Sequence, residues 1–446
     1  MAPQDRTGTR RDGQGRAGTG RDYVDTTGWR GSPARPPVRR QALLRPLLVW
    51  GLTRALLLLF VLKVVVFPGP DVTSDVSVIY REWYDVLRAG TFPLDDVTWQ
   101  YPPAAALAVL SPGLLPFLQY ATAFFVLVFL ADLATLALLL YAGGRPGRTR
   151  LGAWVWVAGV PLLGPTVYAR YDMMVTAVAV ATLLAGTRRP RLLGALAAFG
   201  ALLKVWPAML LLGVRRRSAW VTAVVTGAGT AAVFAVLMPG AFAFLGFQRD
   251  RGTEVESLGA LVFHVARHHG WDGEVLLNYG SVEFLGPYVE WVSAGAMFLS
   301  GAALAWLLLW RLLARRFEAH TFVDAAFVAV LMFTTTSRVI SPQYMVWLVG
   351  LAAVCLCRRG SRMRPPVALV LVASFVTMLE FPLWFAHVVA SDALGVTLLF
   401  VRNGLLVAAT FLAARTLWRS TVTHGLPAAP APTTAATRTA KNPVSP

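Results

Sequence analysis

The stretch FFVLVFLADLATLALLLY, residues 124–141, is predominantly apolar and lacks the strict alternation of a membrane barrel strand. Similar runs recur along the 446-residue chain. At roughly 20 residues, each run is long enough to cross a hydrocarbon core of about 30 Å. Only helices and closed barrels satisfy their backbone polar groups in lipid. The sequence therefore predicts an all-α polytopic membrane protein.

The composition of the whole chain favours the same class. Hydrophobic residues account for 56% of the chain and charged residues for 14%, a balance too apolar for a soluble protein. The formal net charge is +18, yet the arginines lie in short clusters between apolar runs and in the N-terminal tail. This distribution is the positive-inside pattern of membrane proteins, so we expect membrane lipid around the chain and no nucleic-acid partner.

The arginine clusters also predict a topology. If every cluster is cytoplasmic, the chain crosses the plasma membrane ten times, both termini are cytoplasmic, and residues 68–102 and 239–283 form extracytoplasmic loops. Residues 1–41 and 421–446 are poor in core-forming residues, which predicts disordered tails around a membrane domain at 42–420. The ten crossings are expected near 43–67, 119–141, 151–169, 171–187, 219–238, 285–313, 321–338, 343–357, 366–388 and 393–417.

Two apolar segments are left over by this scheme, 104–118 and 192–213, and each must enter and leave on one side. The second has arginine clusters at both ends and the sequence KVWP at 204–207 in its middle. As a hairpin, its first arm of about 12 residues rises roughly 18 Å, and Pro207 interrupts the helix at the apex. The alternative is an ordinary span with a snorkelling lysine. With hairpins included, we expect about 10–13 transmembrane or re-entrant helices.

The first outer loop contains a predicted amphipathic helix at residues 74–90, which ends at Gly90. Asp75 falls in its first turn, where the helix dipole favours an ionised carboxylate. Such a carboxylate can accept the proton of an attacking hydroxyl. It can equally serve only to cap an interfacial helix, and the residues alone leave both interpretations open. The apolar stripe of this helix consists of Val76, Ile79, Tyr80, Trp83 and Leu87.

Three other positions are candidate phosphate-binding cations. Lys204 is one of three lysines in a chain that otherwise uses arginine, and a compact ammonium at a buried apex suits a lipid phosphate, with snorkelling as the alternative. The turn YARYD at 168–172 holds Arg170 and Asp172, either as an ion pair with each other or as part of a sugar pocket. The stretch SRVISPQY at 337–344 contributes Arg338 together with hydroxyl, amide and phenol groups, an inventory that suits a phosphate and a polyol.

The long loop 239–283 contains Glu256 and His264, which are candidate polar contacts, although a structural histidine is the other interpretation. The chain lacks H-E-x-x-H and Cys/His metal spacing. It also lacks a Walker motif and a G-x-G-x-x-G after a strand. We therefore expect neither a metal nor another cofactor, and no globular nucleotide-sugar domain.

Several motifs together resemble a known family. They are SDVSVIYREWYDVLRAG at 74–90, WQYPPAAALAVLSPGLLP at 99–116, YARYD, GALAAFGALLKVWPAMLLL at 194–212 and SRVISPQYMVWL at 337–348. In combination they are similar to the polyprenyl-phosphate-dependent GT-C glycosyltransferases, most specifically the bacterial glycosyltransferase family 87 (GT87, DUF2029-type) mannosyltransferases. The likeness extends from about residue 70 to 350 and implies a GT-C-like helical bundle.

This resemblance implies a function. It is the inverting, metal-independent transfer of a hexose, most simply mannose, from a polyprenyl-phosphate donor to a cell-envelope glycolipid or glycan, at an extracytoplasmic site. It assigns Asp75 as the base, whereas Lys204, Arg338 and Arg170 would bind the donor phosphate. No second carboxylate adjoins Asp75, so a paired-aspartate arrangement is not expected. The alternative is a transporter or flippase of a lipid-linked sugar, which needs no base. Candidate sugar or acceptor contacts are Gln100, Tyr101, Asp172, Glu256, His264, Gln343 and Tyr344.

Overall fold

The computed structural model describes residues 41–94, 96–186, 188–249 and 252–423. The two predicted tails lie almost wholly outside these ranges. The helices are α1 (Gln41–Val61), α2 (Tyr80–Arg88), α3 (Ala105–Leu110), α4 (Tyr120–Gly143), α5 (Leu151–Gly159), α6 (Asp172–Ala185), α7 (Pro190–Leu203), α8 (Arg217–Leu237), α9 (Phe244–Arg249), α10 (Leu261–Ala266), α11 (Val289–Leu313), α12 (Thr321–Thr336), α13 (Tyr344–Leu356), α14 (Arg364–Met378), α15 (Phe385–Ala390) and α16 (Ala393–Trp418).

Six helical segments of the described chain are long and apolar enough to cross a membrane. All six fall on predicted crossings, and the predicted all-α polytopic class is confirmed. The segments are Leu43–Val61, Tyr120–Gly143, Arg217–Leu237, Val289–Leu313, Arg364–Leu383 and Ala393–Thr423.

The other four predicted crossings form shorter helices. Helices α6, α12 and α13 have 14, 16 and 13 residues, or about 20–24 Å at 1.5 Å per residue, and α5 gives way to a 3₁₀ stretch at Pro161–Val167. Helices α12 and α13 are buried along nearly their whole length, whereas the longer α8 and α11 expose most of their apolar surface. The short helices thus form the centre of the bundle, and their ends leave room for a cavity.

The predicted hairpin at 192–213 forms in the structure. Helix α7 ends at Leu203, the backbone of the following Lys204 is extended (φ −158°, ψ 132°), and a 3₁₀ turn at Trp206–Leu211 carries the chain back. The start of α8 lies against the start of α7, so the chain has returned to the end from which α7 set out. A Cβ added to Gly194 in α7 would lie 2.0 Å from the carbonyl oxygen of Ala219 in α8. The helix therefore breaks at Lys204, slightly before Pro207.

The two loops that are predicted to be extracytoplasmic, 68–102 and 239–283, also adopt regular structure and are called the outer loops below. A π-helical turn at Asp75–Ile79 runs directly into α2, and Gly90 follows with φ +89°. The loop 239–283 contains a three-stranded antiparallel sheet in the order β1-β3-β2, which the sequence interpretation did not include. Its strands are β1 (Thr253–Glu254), β2 (Glu274–Asn278) and β3 (Ser281–Leu285).

A buried ion pair stabilises the kink between α5 and the 3₁₀ stretch that follows. Arg54 Nε lies 2.8 Å from Asp132 Oδ2, and both side chains are fully buried. Pro161 has no N–H to donate to the carbonyl of Val157, and Arg54 Nη1 donates to that oxygen at 2.9 Å instead. The Asp132 carboxylate also accepts hydrogen bonds from Trp50, Trp156 and Tyr168. The arginine thus replaces a helix hydrogen bond that the proline removes.

Replacing Arg54 by glutamine is expected to destabilise the protein by about 3–5 kcal/mol, because Asp132 keeps a buried charge without its cation. In the matched change Lys63→Gln, the lost ion pair to Asp71 has side chains 60% and 48% exposed, and such a pair contributes about 1 kcal/mol or less. Thermal unfolding of both purified variants in one detergent measures the difference. Equal melting temperatures would contradict the role assigned to the buried pair.

Candidate active site

A cavity of about 420 Å³ lies where the central short helices end. It is bounded by the apex of the 192–213 hairpin, the end of α12, the start of α13 and the WQYP turn. Helix α13 starts at the cavity and has 13 residues. The arginine cluster that follows its other end is therefore about 20 Å away. Six of the predicted site residues converge here: Gln100, Tyr101, Lys204, Arg338, Gln343 and Tyr344.

Lys204 is held at the floor of this cavity by a buried carboxylate. Its Nζ lies 2.7 Å from Asp172 Oδ1, and the side chains are 11% and 1% exposed. Trp347 Nε1 donates to the same oxygen at 2.7 Å. Within the described chain, Asp172 Oδ2 has no hydrogen-bond partner. The carboxylate therefore stabilises the ammonium through Oδ1, while Oδ2 is buried without a hydrogen-bond partner in the described chain.

Four aromatic rings surround the Lys204 ammonium. The centroids of Tyr101, Tyr171, Tyr344 and Trp347 lie 5.3, 5.0, 5.5 and 5.2 Å from Nζ. A cation within about 6 Å of a ring face is attracted by the ring quadrupole. Tyr344 also stacks on Trp347 at 4.0 Å, which gives the cage a rigid wall. The compact ammonium of lysine fits such a cage, whereas the planar fork of arginine needs a different geometry.

Arg338 reaches the cavity from the non-helical segment between α12 and α13. The outer loop fixes this segment, because the backbone N–H of Glu254 in β1 donates to the Arg338 carbonyl at 3.1 Å. The Glu254 carboxylate in turn accepts hydrogen bonds from the Ile340 amide and from Ser341 Oγ, the latter at 2.9 Å. The guanidinium donates to Ser293 Oγ at 3.3 Å. The small sheet therefore positions a cation of the cavity.

The YARYD turn does not form the internal ion pair that the sequence allowed. Arg170 Nη2 instead lies 2.8 Å from Asp75 Oδ2 in the first outer loop, while Asp172 binds Lys204. Arg170 Nη1 also donates to the carbonyls of Val72 and Ala169, at 3.1 and 2.7 Å. The Asp75 side chain remains 34% exposed. The Asp75 carboxylate is thus paired with an arginine and remains partly accessible to solvent.

A layer of tyrosines lies beside the Asp75–Arg170 pair and reaches the cavity. Tyr80 packs on Tyr171 at 6.2 Å between ring centroids, and Tyr171 packs on Tyr101 at 5.2 Å. Burial raises the pKa of Tyr80 well above its usual value, and the neighbouring Tyr101 and Asp75 act in the same direction. Tyr80 is therefore a neutral phenol at neutral pH.

Five predicted site residues do not line this cavity: Asp75, Arg170, Asp172, Glu256 and His264. Asp172 contacts it through Lys204, whereas Glu256 and His264 belong to other polar clusters. His264 is buried and bonds to Ser391 Oγ and to the Val255 carbonyl, at 2.7 and 2.8 Å. Burial lowers its pKa to about 4, so its ring is neutral at neutral pH. This is the structural role that the sequence left open as the alternative.

Glu256 belongs to a buried polar cluster with Arg402 and Glu380. Its backbone carbonyl accepts a hydrogen bond from Arg402 Nη2 at 2.8 Å, and Arg402 pairs with Glu380 at 2.7 Å. Burial raises the pKa of Glu256 well above its usual range, and the nearby Glu254 and Glu380 carboxylates raise it further. The cluster anchors the outer loop on α16 and on the π-helical turn Leu379–Leu383 after α14, and it does not line the cavity.

Three residues of the site escaped the sequence analysis. Trp347 lies three positions after Tyr344 in α13, so helical spacing was the available signal. Tyr171 follows Arg170 within a motif that was examined for its charges alone. Glu254 carries no local signal, because its role depends on the pairing of β1 with β3 and on the position of the 337–341 segment.

The fold and the cavity together define a helical membrane protein that presents cations, amides and aromatic rings in one cavity. Residues 99–342, more than half of the chain, match the family model for Glycosyltransferase family 87, and the chain belongs to this family. It is therefore a membrane glycosyltransferase, which favours transfer over the transport alternative. The match begins after Asp75 and ends before Gln343. No match was found among curated proteins or among solved structures.

The Lys204–Asp172 pair is expected to behave as one energetic unit. Lys204→Met or Asp172→Asn alone leaves an unpaired buried group and is expected to cost about 3–5 kcal/mol. The double variant removes both charges and is expected to cost clearly less than the sum of the two single changes. A double-mutant cycle by thermal unfolding measures this coupling.

The exposed pair Arg81–Asp85 is the matched comparison for that cycle. Its side chains are 48% and 55% exposed, at an N–O distance of 3.3 Å, so its coupling is expected to be about 0.5 kcal/mol or less. Additive costs at Lys204 and Asp172, similar to those of the exposed pair, would refute the coupling.

Proposed function

We propose that this glycosyltransferase moves a hexose, most simply mannose, from a polyprenyl-phosphate donor to a hydroxyl of a cell-envelope glycolipid or glycan. The observation that carries the proposal is the convergence of Lys204 and Arg338 in one cavity with amide and aromatic side chains. Cations placed at the centre of a membrane bundle are costly and generally mark a substrate site. A phosphate attached to a lipid brings the matching charge to that depth.

In the proposed reaction, the cations stabilise the leaving group. The glycosidic C–O bond to the donor phosphate breaks, and the phosphate keeps the electron pair. Lys204 and Arg338 neutralise the charge that develops there, as preorganised groups in a site of low dielectric constant. Asp172 and the aromatic cage hold the ammonium in position before the substrate arrives.

The remaining cavity residues suit a sugar. Tyr101 and Tyr344 present ring faces on which a hexose can stack, and their hydroxyls can bind its polar edge. Gln100 and Gln343 each supply an amide with donor and acceptor groups. A few oriented polar groups among aromatic walls are the usual composition of a small-molecule site.

Asp75 is the proposed base. As the acceptor oxygen bonds to the anomeric carbon, its proton passes to the Asp75 carboxylate. Direct displacement of the phosphate inverts the anomeric configuration. Arg170 orients this carboxylate at 2.8 Å, so we assign it to the base rather than to the donor phosphate. Glu256 and His264 then support the outer loop without touching the substrate.

We also propose that the site opens on the extracytoplasmic side of the plasma membrane, with both termini in the cytoplasm. The support is the distribution of charge. Helix α6 begins at Asp172 in the site and is followed by the basic cluster at 188–191, and α13 begins at Tyr344 and is followed by the cluster at 358–364. Basic clusters favour the cytoplasmic side.

Asp75→Asn is expected to lower transfer by about 10²–10⁴-fold, because an amide cannot accept the proton. The assay follows radiolabelled mannose from polyprenyl-phosphate mannose to an envelope-lipid extract with purified protein. Asp85→Asn is the matched control, since it removes a carboxylate paired with Arg81 on the same outer helix. It should retain full activity. Equal activity of wild type and Asp75→Asn would remove Asp75 from its role, and no transfer by the wild type to any extract would contradict this donor.

Arg338→Gln is expected to weaken transfer by about 10–100-fold, with most of the loss at low donor concentration, because a charge-assisted contact to the donor phosphate is lost. Arg88→Gln, an exposed change on α2 outside the cavity, is the charge-matched control. Initial rates at varied donor concentration are measured for Arg338→Gln and Arg88→Gln and compared. An Arg338→Gln variant with an unchanged rate across all donor concentrations would exclude a phosphate contact.

A further inference from the structure

The end of the bundle opposite the proposed active site holds a second charged cavity. It has a volume of about 430 Å³. Arginines of three basic segments line it. These segments are the α4–α5, α6–α7 and α13–α14 connections. The charged or titratable lining residues are Arg148, Arg188, His320, Arg358 and Arg359.

The backbone holds two of these arginines together. Arg148 and Arg358 form an antiparallel bridge, the Thr149 amide donates to the Cys357 carbonyl at 3.0 Å, and Arg359 Nε donates to the Arg148 carbonyl at 3.1 Å. Like charges at such close range repel one another. The fold therefore imposes a concentration of positive charge here that an anion would relieve.

Two arginines that line this cavity have buried donor atoms without partners in the described chain. The Arg358 residue is 6% exposed, yet its Nε and Nη2 find no hydrogen-bond acceptor in the described parts of the chain. The buried Nη1 of Arg148 is in the same position. Leaving buried charged donors unsatisfied is costly, so these atoms point to a ligand with several acceptor oxygens.

The nearby acidic groups do not fill this role. Asp324 accepts a hydrogen bond from Ser361 Oγ at 2.7 Å, and Glu318 lies 3.4 Å from His320 with a side chain that is 70% exposed. Burial lowers the pKa of Arg358 to about 10, and the adjacent Arg148 contributes to this shift. Since 10 is well above neutral pH, the guanidinium stays charged and keeps its need for an anion.

An apolar groove adjoins the charged cavity. This groove, of about 420 Å³, shares Arg148 and Arg188 with the cavity and is also lined by Arg145 and Arg189. Between α4, α6 and α7 it extends along Leu138, Leu184 and Leu192. We propose that the cavity and groove together bind an anionic phospholipid, with its phosphate on Arg148, Arg188 and Arg358 and an acyl chain along the leucines. The apolar walls argue for a lipid rather than a soluble phosphate, because a free anion has no use for them.

The test measures thermal stability of the full-length protein in neutral detergent with added phosphatidylglycerol, phosphatidylcholine or inorganic phosphate. A ligand that binds the folded state raises the melting temperature. We expect phosphatidylglycerol to raise it, and the other two to leave it nearly unchanged. Arg358→Gln and, separately, the exposed Arg188→Gln should each weaken the phosphatidylglycerol response about tenfold in concentration, as expected when a charge-assisted contact is lost.

Arg362→Gln is the matched control, because it removes the same charge from an exposed position in the α13–α14 connection outside the cavity lining. Its response should equal that of the wild type. If all three variants respond equally, the effect is general surface attraction and the site is refuted. A response to phosphatidylcholine of the same size would refute charge recognition, and one to inorganic phosphate would refute the lipid. Should Arg358→Gln fail to fold, Arg188→Gln still decides the outcome.

Discussion

The ion pair between Lys204 and Asp172 is the contact on which the rest of the site depends. A lysine at this depth of a membrane bundle requires a carboxylate and surrounding dipoles, and Asp172 supplies the carboxylate at 2.7 Å. Asp172 begins α6, Lys204 follows the end of α7, and Trp347 of α13 donates to the same carboxylate oxygen. One charge pair thus joins the ends of three short helices. Because those helices end at the pair, the space beyond them becomes the cavity.

The Lys204–Asp172 pair differs from the buried Arg54–Asp132 pair in its surroundings. Asp132 accepts hydrogen bonds through both oxygens, and Arg54 bonds to the carbonyls of Trp156 and Val157 at a kink. The side chains of that pair are fully buried. Lys204 instead lines a cavity, and its partner keeps a buried oxygen without a hydrogen-bond partner in the described residues. The difference that bears on ligand binding is therefore the cavity that Lys204 lines.

The sequence was sufficient for the features that follow from local pattern. Apolar run length located the six long helices, and the arginine clusters on either side of 192–213 favoured a hairpin over a single span. It was insufficient for pairing between distant segments. Arg170 and Asp172 are two positions apart, but they bind Asp75 and Lys204 instead of each other. These pairs form because tertiary packing brings the first outer loop and the hairpin next to the YARYD turn.

The difference in burial between Asp75 and Asp172 explains why Asp75 is proposed as a base and Asp172 is not. Asp172 is almost fully buried against a cation, so a proton arriving there would have to displace Lys204 from its strongest contact. Asp75 is 34% exposed and paired on one side, which leaves it open to a hydroxyl. An inverting displacement needs the base and the cations that stabilise the leaving group on opposite sides of the anomeric carbon. The proposed base and the proposed phosphate-binding lysine belong to two separate ion pairs, and Tyr80, Tyr171 and Tyr101 pack in a row between the first pair and the cavity.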